Sequence, residues 1–262
     1  MICDAHIHIG WYYRCEFCAG ICNRVEHYYA PKDIASVMKS AGVSQFIFSS
    51  ISCQKRVPTR VVEDEAFEMV SAFGSGAHPF FWVTKEYYDK DPNLKVLDSG
   101  IWDGVKIHEL ETPWVKKYPR SLNRILSLLE ERDMPVQFHT GEDDGCYPRE
   151  VLPFVETHPR LRVDFAHCRP YKETIKCLRG CPNLFTDTAF MPVEFYADLI
   201  AAGVEDRVLF GTDFPIQCGF FDGMINELYM CEVKTAIQAG CSEQVMEKNF
   251  WSFLRKNDSR EM

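Results

Sequence analysis

Five of the eight histidines stand near the downstream ends of short apolar runs: His6, His8, His108, His139 and His167. Asp213 holds the same place in another run, VLFGTDF. His6 and His8 are separated by one residue. On a β-strand side chains i and i+2 point to one face, so both imidazoles can reach one ion. Such donors suit a borderline-soft divalent metal such as zinc. A lone His-x-His is as readily a hydrogen-bonded pair inside a core. The metal reading comes from the company the pair keeps: a third histidine, a fourth and an aspartate each close a run of their own. Burying that many titratable groups in one cavity is costly unless a cation pairs them.

The runs that must position these residues are 2–9, 45–50, 78–84, 104–110, 135–140, 162–167, 183–188 and 207–214. Each has the length of a strand and is rich in β-branched or aromatic residues. Between them lie helical patterns: 31–42 and 192–203, each opening on proline and closing on glycine, 61–74, 121–133, and two helices over 223–255 broken near Gly240. Eight strands alternating with helices predict parallel βαβ units, and eight units in 262 residues predict an α/β fold, a (β/α)8 TIM-like barrel forming a single domain over 1–262. An open doubly wound sheet is the competing topology, but no GxGxxG turn follows the first run. A barrel gathers the C-terminal ends of its strands around one mouth, where residues 200 positions apart meet. Residues 10–30 are expected as an extended loop after the first strand, covering that mouth.

The chain resembles the amidohydrolase superfamily, in particular its amidohydrolase-2 branch of metal-dependent hydrolases and decarboxylases. The matching residues are His6-Ile7-His8, PVQFHTGE with His139, RVDFAHC with His167 and VLFGTDFP with Asp213, in the expected order along nearly the whole chain. The resemblance implies a TIM-like barrel and one catalytic divalent metal held by His6, His8, His139 and Asp213, with His167 beside it as general acid and base. Some members of the superfamily use no metal and others carry two. The residues themselves suit these roles. Imidazoles with one carboxylate leave a position open for water, whose pKa falls to about 7 on zinc. Asp213 is placed to orient that water or take its proton, and His167 to relay a proton to a leaving group.

Other candidates belong to the same runs. Lys106 and His108 share a face. Lys106 is either a carboxylated bridge between two ions, as in two-metal members of the superfamily, or a lysine paired with an interior acid such as Asp4. The second reading is preferred. His108 reads as a substrate contact or as a satisfied core histidine. Arg169 stands where the family often has glycine; its guanidinium is either a clamp on a substrate carboxylate or a solvated loop residue. Asp187 is expected to contact substrate or cap a loop, and Trp82 and Lys85 are weaker candidates. Cys15, Cys18 and Cys22, with His27, could form a tetrahedral zinc site. The second tight pair of zinc motifs is missing, so a lid of thiols and aromatics (Trp11, Tyr12, Tyr13, Phe17) is preferred.

Composition narrows the function classes. Hydrophobic residues make up 46% of the chain and there are 35 aromatics, which excludes extensive disorder. No apolar run approaches the roughly 20 residues of a membrane span. The net charge of −9, without a basic stripe, argues against nucleic acid. The first residues lack the pattern of a signal peptide, which predicts a cytoplasmic protein whose 12 cysteines are mostly free thiols. Three functions compete. The first is a metal-dependent hydrolase acting on an amide, ester or lactone carbonyl of a small molecule. The second is a metal-dependent non-oxidative decarboxylase of an aromatic or unsaturated acid. The third is a non-catalytic metal-binding barrel. The aromatics around 11–30 and 220–230 would permit a homodimer.

Overall fold

The computed structural model describes residues 1–18, 21–55, 57–141, 143, 145–216 and 225–255, and the side chains of all of these except 13–18, 21–26, 55, 225 and 226. The strands are β1 (Ile2–Cys18), β2 (Ile21–Tyr29), β3 (Val43–Ser50), β4 (Ala77–Trp82), β5 (Gly104–Ile107), β6 (Val136–His139), β7 (Val163–Ala166), β8 (Leu184–Asp187) and β9 (Val208–Leu209). β1 and β3 to β9 form a continuous parallel sheet in chain order. Beyond β9 the chain returns to β1: Ala5 N donates to Phe210 O at 2.7 Å, Asp213 N to His6 O at 2.8 Å and His8 N to Phe214 O at 2.7 Å. These bonds close the sheet, giving the expected TIM-like barrel and carrying Asp213 to the edge of His6 and His8.

The helices between strands follow from apolar spacing. In α1 (Pro31–Ser40), Pro31 supplies the fixed φ of a first turn, and Ile34, Ala35, Val37 and Met38 are buried. α2 covers Thr59–Phe73 and α3 Lys85–Lys90. α4 covers Trp114–Lys117. In α5 (Pro119–Glu131), Leu122, Ile125, Leu126 and Leu129 form one buried stripe at i, i+3, i+4 and i+7. α6 (Pro148–Glu156) and α7 (Tyr171–Gly180) follow β6 and β7. The pattern read over 192–203 resolves into a 3₁₀ turn at Val193–Phe195 and α8 (Tyr196–Ala201). The last stretch is α9 (Ile225–Gln238), a π turn at Gln244–Lys248 and α10 (Asn249–Leu254). Phe250, Phe253 and Leu254 of α10 pack with Cys3, Ala5, Ile47, Phe80, Phe185 and Leu209 of the strands. Among the described residues no helix is long and apolar enough to cross a membrane.

Residues 10–30 differ from the expected extended loop. Residues 10–18 and 21–29 are strands: β2 pairs antiparallel with the outer half of β1, from Gly10 opposite Tyr29 to Cys18 opposite Ile21. Aromatic residues favour strands, and opposed aromatics stabilise an antiparallel pair. Here Trp11 lies directly across from Tyr28, ring centroids 5.0 Å apart. The side chains of Cys15, Cys18 and Cys22, the proposed structural zinc ligands, lie outside the described residues. Of the described cysteines, Cys3, Cys53, Cys146, Cys168, Cys177 and Cys181 are buried free thiols.

Gly104 opens β5 opposite Phe80 of β4. A Cβ there would stand 2.5–2.7 Å from three carbons of the Phe80 ring. Phe80 is fully buried among its neighbours and cannot swing away. Gly104→Ala is therefore expected to destabilise the protein by ~1–3 kcal/mol. Urea denaturation checks this, and an unchanged midpoint would contradict it.

Glu109, just past β5, fastens the segment beyond it. Both of its oxygens accept the Val115 N–H, at 3.0 and 3.1 Å, and burial pushes its carboxyl up to about 7. The ordinary value is 4.5. Between those two pH values the folded protein keeps a proton that the unfolded chain gives up, so this group's contribution to stability falls as pH rises through the window. Glu109→Gln removes the ionisation. The variant is expected to gain ~1–3 kcal/mol relative to the parent on going from pH 4.5 to pH 8. A stability difference that is the same at both pH values would contradict this.

Candidate active site

The strands deliver their charged and imidazole side chains to a cavity of about 780 Å³ whose lining includes His6, His8, Lys106, His108, His139, His167, Arg169 and Asp213. Tyr12, Ile51, Trp82, Leu110, Phe190, Met191, Pro192 and Ile216 add an apolar wall. The convergence expected of distant strand ends is therefore present.

His6 and His8 project together from β1 and meet Asp213 from the segment after β9. His6 Nε2 is 3.2 Å from His8 Nε2, Asp213 Oδ1 is 3.2 Å from His6 Nε2, and it is 2.9 Å from His8 Nε2. The partners behind the rings set their tautomers. His6 Nδ1 lies 2.8 Å from Asp187 Oδ2, and His8 Nδ1 lies 3.0 Å from Ser49 Oγ and 3.3 Å from the Ser49 carbonyl oxygen. An N–H at each Nδ1 satisfies these acceptors and leaves each Nε2 with a bare lone pair, the arrangement of metal-bound histidines. Two lone pairs and a carboxylate oxygen then face one another with no proton between them. Ligands of a tetrahedral zinc ion stand about 3.3 Å apart, close to the separations seen here. The donor set therefore fits a divalent ion.

Lys106 brings the nearest competing positive charge. Its Nζ is 3.0 Å from His6 Nε2 and donates to Gln137 Oε1 at 2.9 Å. Asp4, the partner expected for Lys106, is engaged elsewhere: it accepts from His6 N at 2.9 Å, Thr212 Oγ1 at 2.7 Å and Tyr229 Oη at 3.1 Å. The pairing of β1 with β3 shifts register between Asp4 and Ile7, so alternation along β1 does not carry Asp4 to Lys106. Burial lowers the Lys106 ammonium to about 8, against the pull of Asp213, Asp187 and Asp164.

His139 lies in the same cavity, but its Nδ1 is turned to His167 Nε2 at 3.0 Å. It stacks on His108 at 3.9 Å, and His108 stacks on Trp82 at 5.1 Å. Burial holds His6, His108, His139 and His167 below the ordinary imidazole value. The Lys106 ammonium adds to this at His6 and His108, and His139 and His167 each stand beside another imidazole, His108 and His6, which disfavours a second proton in the group. All four are thus neutral at pH 7. Asp213 moves the other way: burial raises it, but the surrounding groups, among them the Lys106 ammonium, outweigh that and hold it ionised.

Asp187, expected to contact substrate or cap a loop, sits behind His6 and caps the loop that follows β8. It is fully buried, outside the cavity lining. Oδ2 engages His6 Nδ1, while Oδ1 accepts the backbone N–H groups of His167 at 2.8 Å and Ala189 at 3.0 Å. It thus orients one imidazole and anchors the backbone of another. His167 itself has φ of +77°, in the left-handed region, and Asp213 has +57°. Such backbones are uncommon outside glycine and collect at functional sites. His108, Arg169 and Trp82 line the cavity as expected; Lys85 is not part of the lining. Sequence reading missed Gln137, which links Lys106 to Asp164 through its amide, with Nε2 donating to Asp164 Oδ2 at 2.9 Å. Its signal was available: Gln137 precedes His139 by two on β6 and shares its face.

A family model described as amidohydrolase matches residues 97–252. Solved structures share the fold over nearly the whole chain. A probable 2-pyrone-4,6-dicarboxylic acid hydrolase of Acinetobacter baumannii, solved with citric acid bound, matches with a TM-score of 0.63 at 11% identity, covering 97% of this chain and 99% of that one. A TatD-like protein of Archaeoglobus fulgidus matches with a TM-score of 0.62 at 16% identity, covering 97% and 100%. A 4-oxalomesaconate hydratase of Rhodopseudomonas palustris matches with a TM-score of 0.60 at 13% identity, covering 97% and 96%. No curated protein matches by sequence.

Proposed function

The chain belongs to the amidohydrolase family, and from that premise we propose that it uses one zinc ion to hydrolyse an amide, ester or lactone carbonyl of a small molecule. The observation that carries the reading is the meeting of His6 Nε2, His8 Nε2 and Asp213 Oδ1 within 3.2 Å of one another, both rings being fixed from behind. His139, whose Nδ1 faces His167 Nε2 at 3.0 Å, would complete the set. A zinc ion in that set supplies a Lewis acid for the carbonyl and lowers the pKa of water. The remaining work falls to the chain. Asp213, ionised and with one oxygen toward the rings, takes the proton from the attacking water on its other oxygen. His167, neutral and beside His139, accepts that proton at Nε2 and delivers it to the leaving group. Asp187 keeps His6 and His167 in register for both steps. Trp82 and the apolar wall exclude water from the far side of the cavity.

The test is to remove metal with a chelator and assay panels of esters, lactones and amides before and after adding Zn²⁺ or Mn²⁺. The expected result is hydrolysis that disappears with the metal and returns with it. Metal binding without turnover in any class would overturn the reading in favour of a non-catalytic barrel. Carbon dioxide release from a carboxylic acid, with no hydrolysis, would replace it with the decarboxylase.

A further inference from the structure

Arg169 is unlike the other buried or half-buried arginines. Arg162 donates to the carbonyl oxygens of Phe253 and Asp133 and to the Asp133 carboxylate. Arg207 donates to the carbonyls of Leu178 and Cys181, and Arg132 to Asp98 and two carbonyls. Arg169, half-buried, has no hydrogen bond or ion pair among the described residues, and its Nε is buried without a partner. Its one ring contact is with Phe190, whose centroid lies 5.8 Å from the guanidinium carbon. A guanidinium held partly out of water with no acceptor is costly, and an anion in the cavity offsets that cost.

Its place relative to the proposed metal is informative. Arg169 follows His167 by two residues and lines the same cavity as His6, His8 and Asp213. Arg169 thus stands beside the reacting centre but is not one of its donors. Phe190, Met191 and Pro192 form the wall next to it. The cavity therefore offers a reacting centre, a cation with no acidic partner among the described residues, and an apolar surface that includes Phe190 against the guanidinium.

We propose that the substrate bears a carboxylate besides its reacting carbonyl, and that Arg169 binds that carboxylate while the Phe190–Pro192 wall packs against the apolar part between the two groups. The planar fork of a guanidinium matches two carboxylate oxygens, which a lysine does not reproduce. The inference rests on the hydrolase reading only for the identity of the reacting group; the carboxylate site stands on Arg169 and its wall.

Benzoate and benzamide probe it, since they share one ring and differ in charge. Binding of each to the full chain is measured by ligand-observed NMR, once with zinc added and once after chelation. Arg169→Met is expected to weaken benzoate by about 10- to 100-fold in both states and to leave benzamide unchanged. Arg169→Lys is expected to lose less, because it keeps the charge without the fork. Circular dichroism establishes that both variants fold. Benzoate affinity unaffected by Arg169→Met would overturn the proposal, as would failure of the parent to bind benzoate. Benzoate binding that vanishes on chelation would also overturn it, because the carboxylate would then be going to the ion. Failure of the protein to bind zinc would sink the hydrolase reading alone and leave the Arg169 comparison in chelated protein intact.

Discussion

Asp213→Ala is expected to lower turnover by about 10³-fold or more while the protein remains folded. Two losses combine. The variant lacks the carboxylate oxygen that, among the described residues, faces Nε2 of both His6 and His8, and it lacks the group that takes the proton from water. Charge stabilisation at a metal site contributes several kcal/mol, and ~4 kcal/mol corresponds to a factor of about 10³. Asp213→Asn is the sharper variant, because it keeps the size of the side chain and removes its charge. The structure predicts that it too fails, since an amide that donates or accepts weakly between two bare Nε2 lone pairs cannot replace a carboxylate. Steady-state assays on the metal-loaded protein decide the matter. Retention of activity within about tenfold by either variant would remove Asp213 from the chemistry.

The second large effect falls on Asp187, which touches no substrate in this account. Truncation to alanine leaves His6 Nδ1 and two backbone N–H groups, at His167 and Ala189, without their acceptor in a fully buried place. A buried donor deprived of its partner costs about 1–3 kcal/mol, so three of them predict a loss of at least ~3 kcal/mol. Loss of the group behind a metal-binding histidine weakens metal by about 10- to 100-fold. Asp187→Asn separates the two effects. Its carbonyl oxygen still accepts from the backbone, so stability is mostly retained. Its amide nitrogen toward His6 favours the wrong tautomer, so zinc affinity still falls. Calorimetric unfolding together with zinc titration reads both quantities. Equal loss of stability in the two variants, with zinc affinity unchanged, would show that Asp187 is a packing residue only.

The barrel was legible because its signals are local. Each strand is a short apolar run, and the α5 stripe at 122, 125, 126 and 129 is visible in the sequence alone. Placement of the histidines at strand ends was enough to predict their convergence, since in a parallel barrel one end of every strand faces one mouth. What sequence could not supply was depth and aim. Asp187 sits where a substrate contact would, but its carboxylate turns back under His6. Lys106 lost its expected partner because a register shift in β1 redirects Asp4, and such shifts leave no mark in residue types. α6 was hidden by Pro153 inside the helix, which reads as a breaker. The antiparallel strands over 10–18 and 21–29 were obscured by their cysteines and charges, though their aromatic cross-strand pairs account for them once seen. His139 was assigned with the metal ligands on resemblance; its Nδ1 faces His167 Nε2, a detail of aim that residue type does not carry.

The most direct test of the account is a crystal structure of the zinc-loaded protein with data collected on both sides of the zinc absorption edge. One strong anomalous peak is expected about 2.0–2.2 Å from His6 Nε2, His8 Nε2 and an Asp213 oxygen. A zinc-soaked crystal with no anomalous density between those three atoms, or with its ion bound only elsewhere, would contradict it.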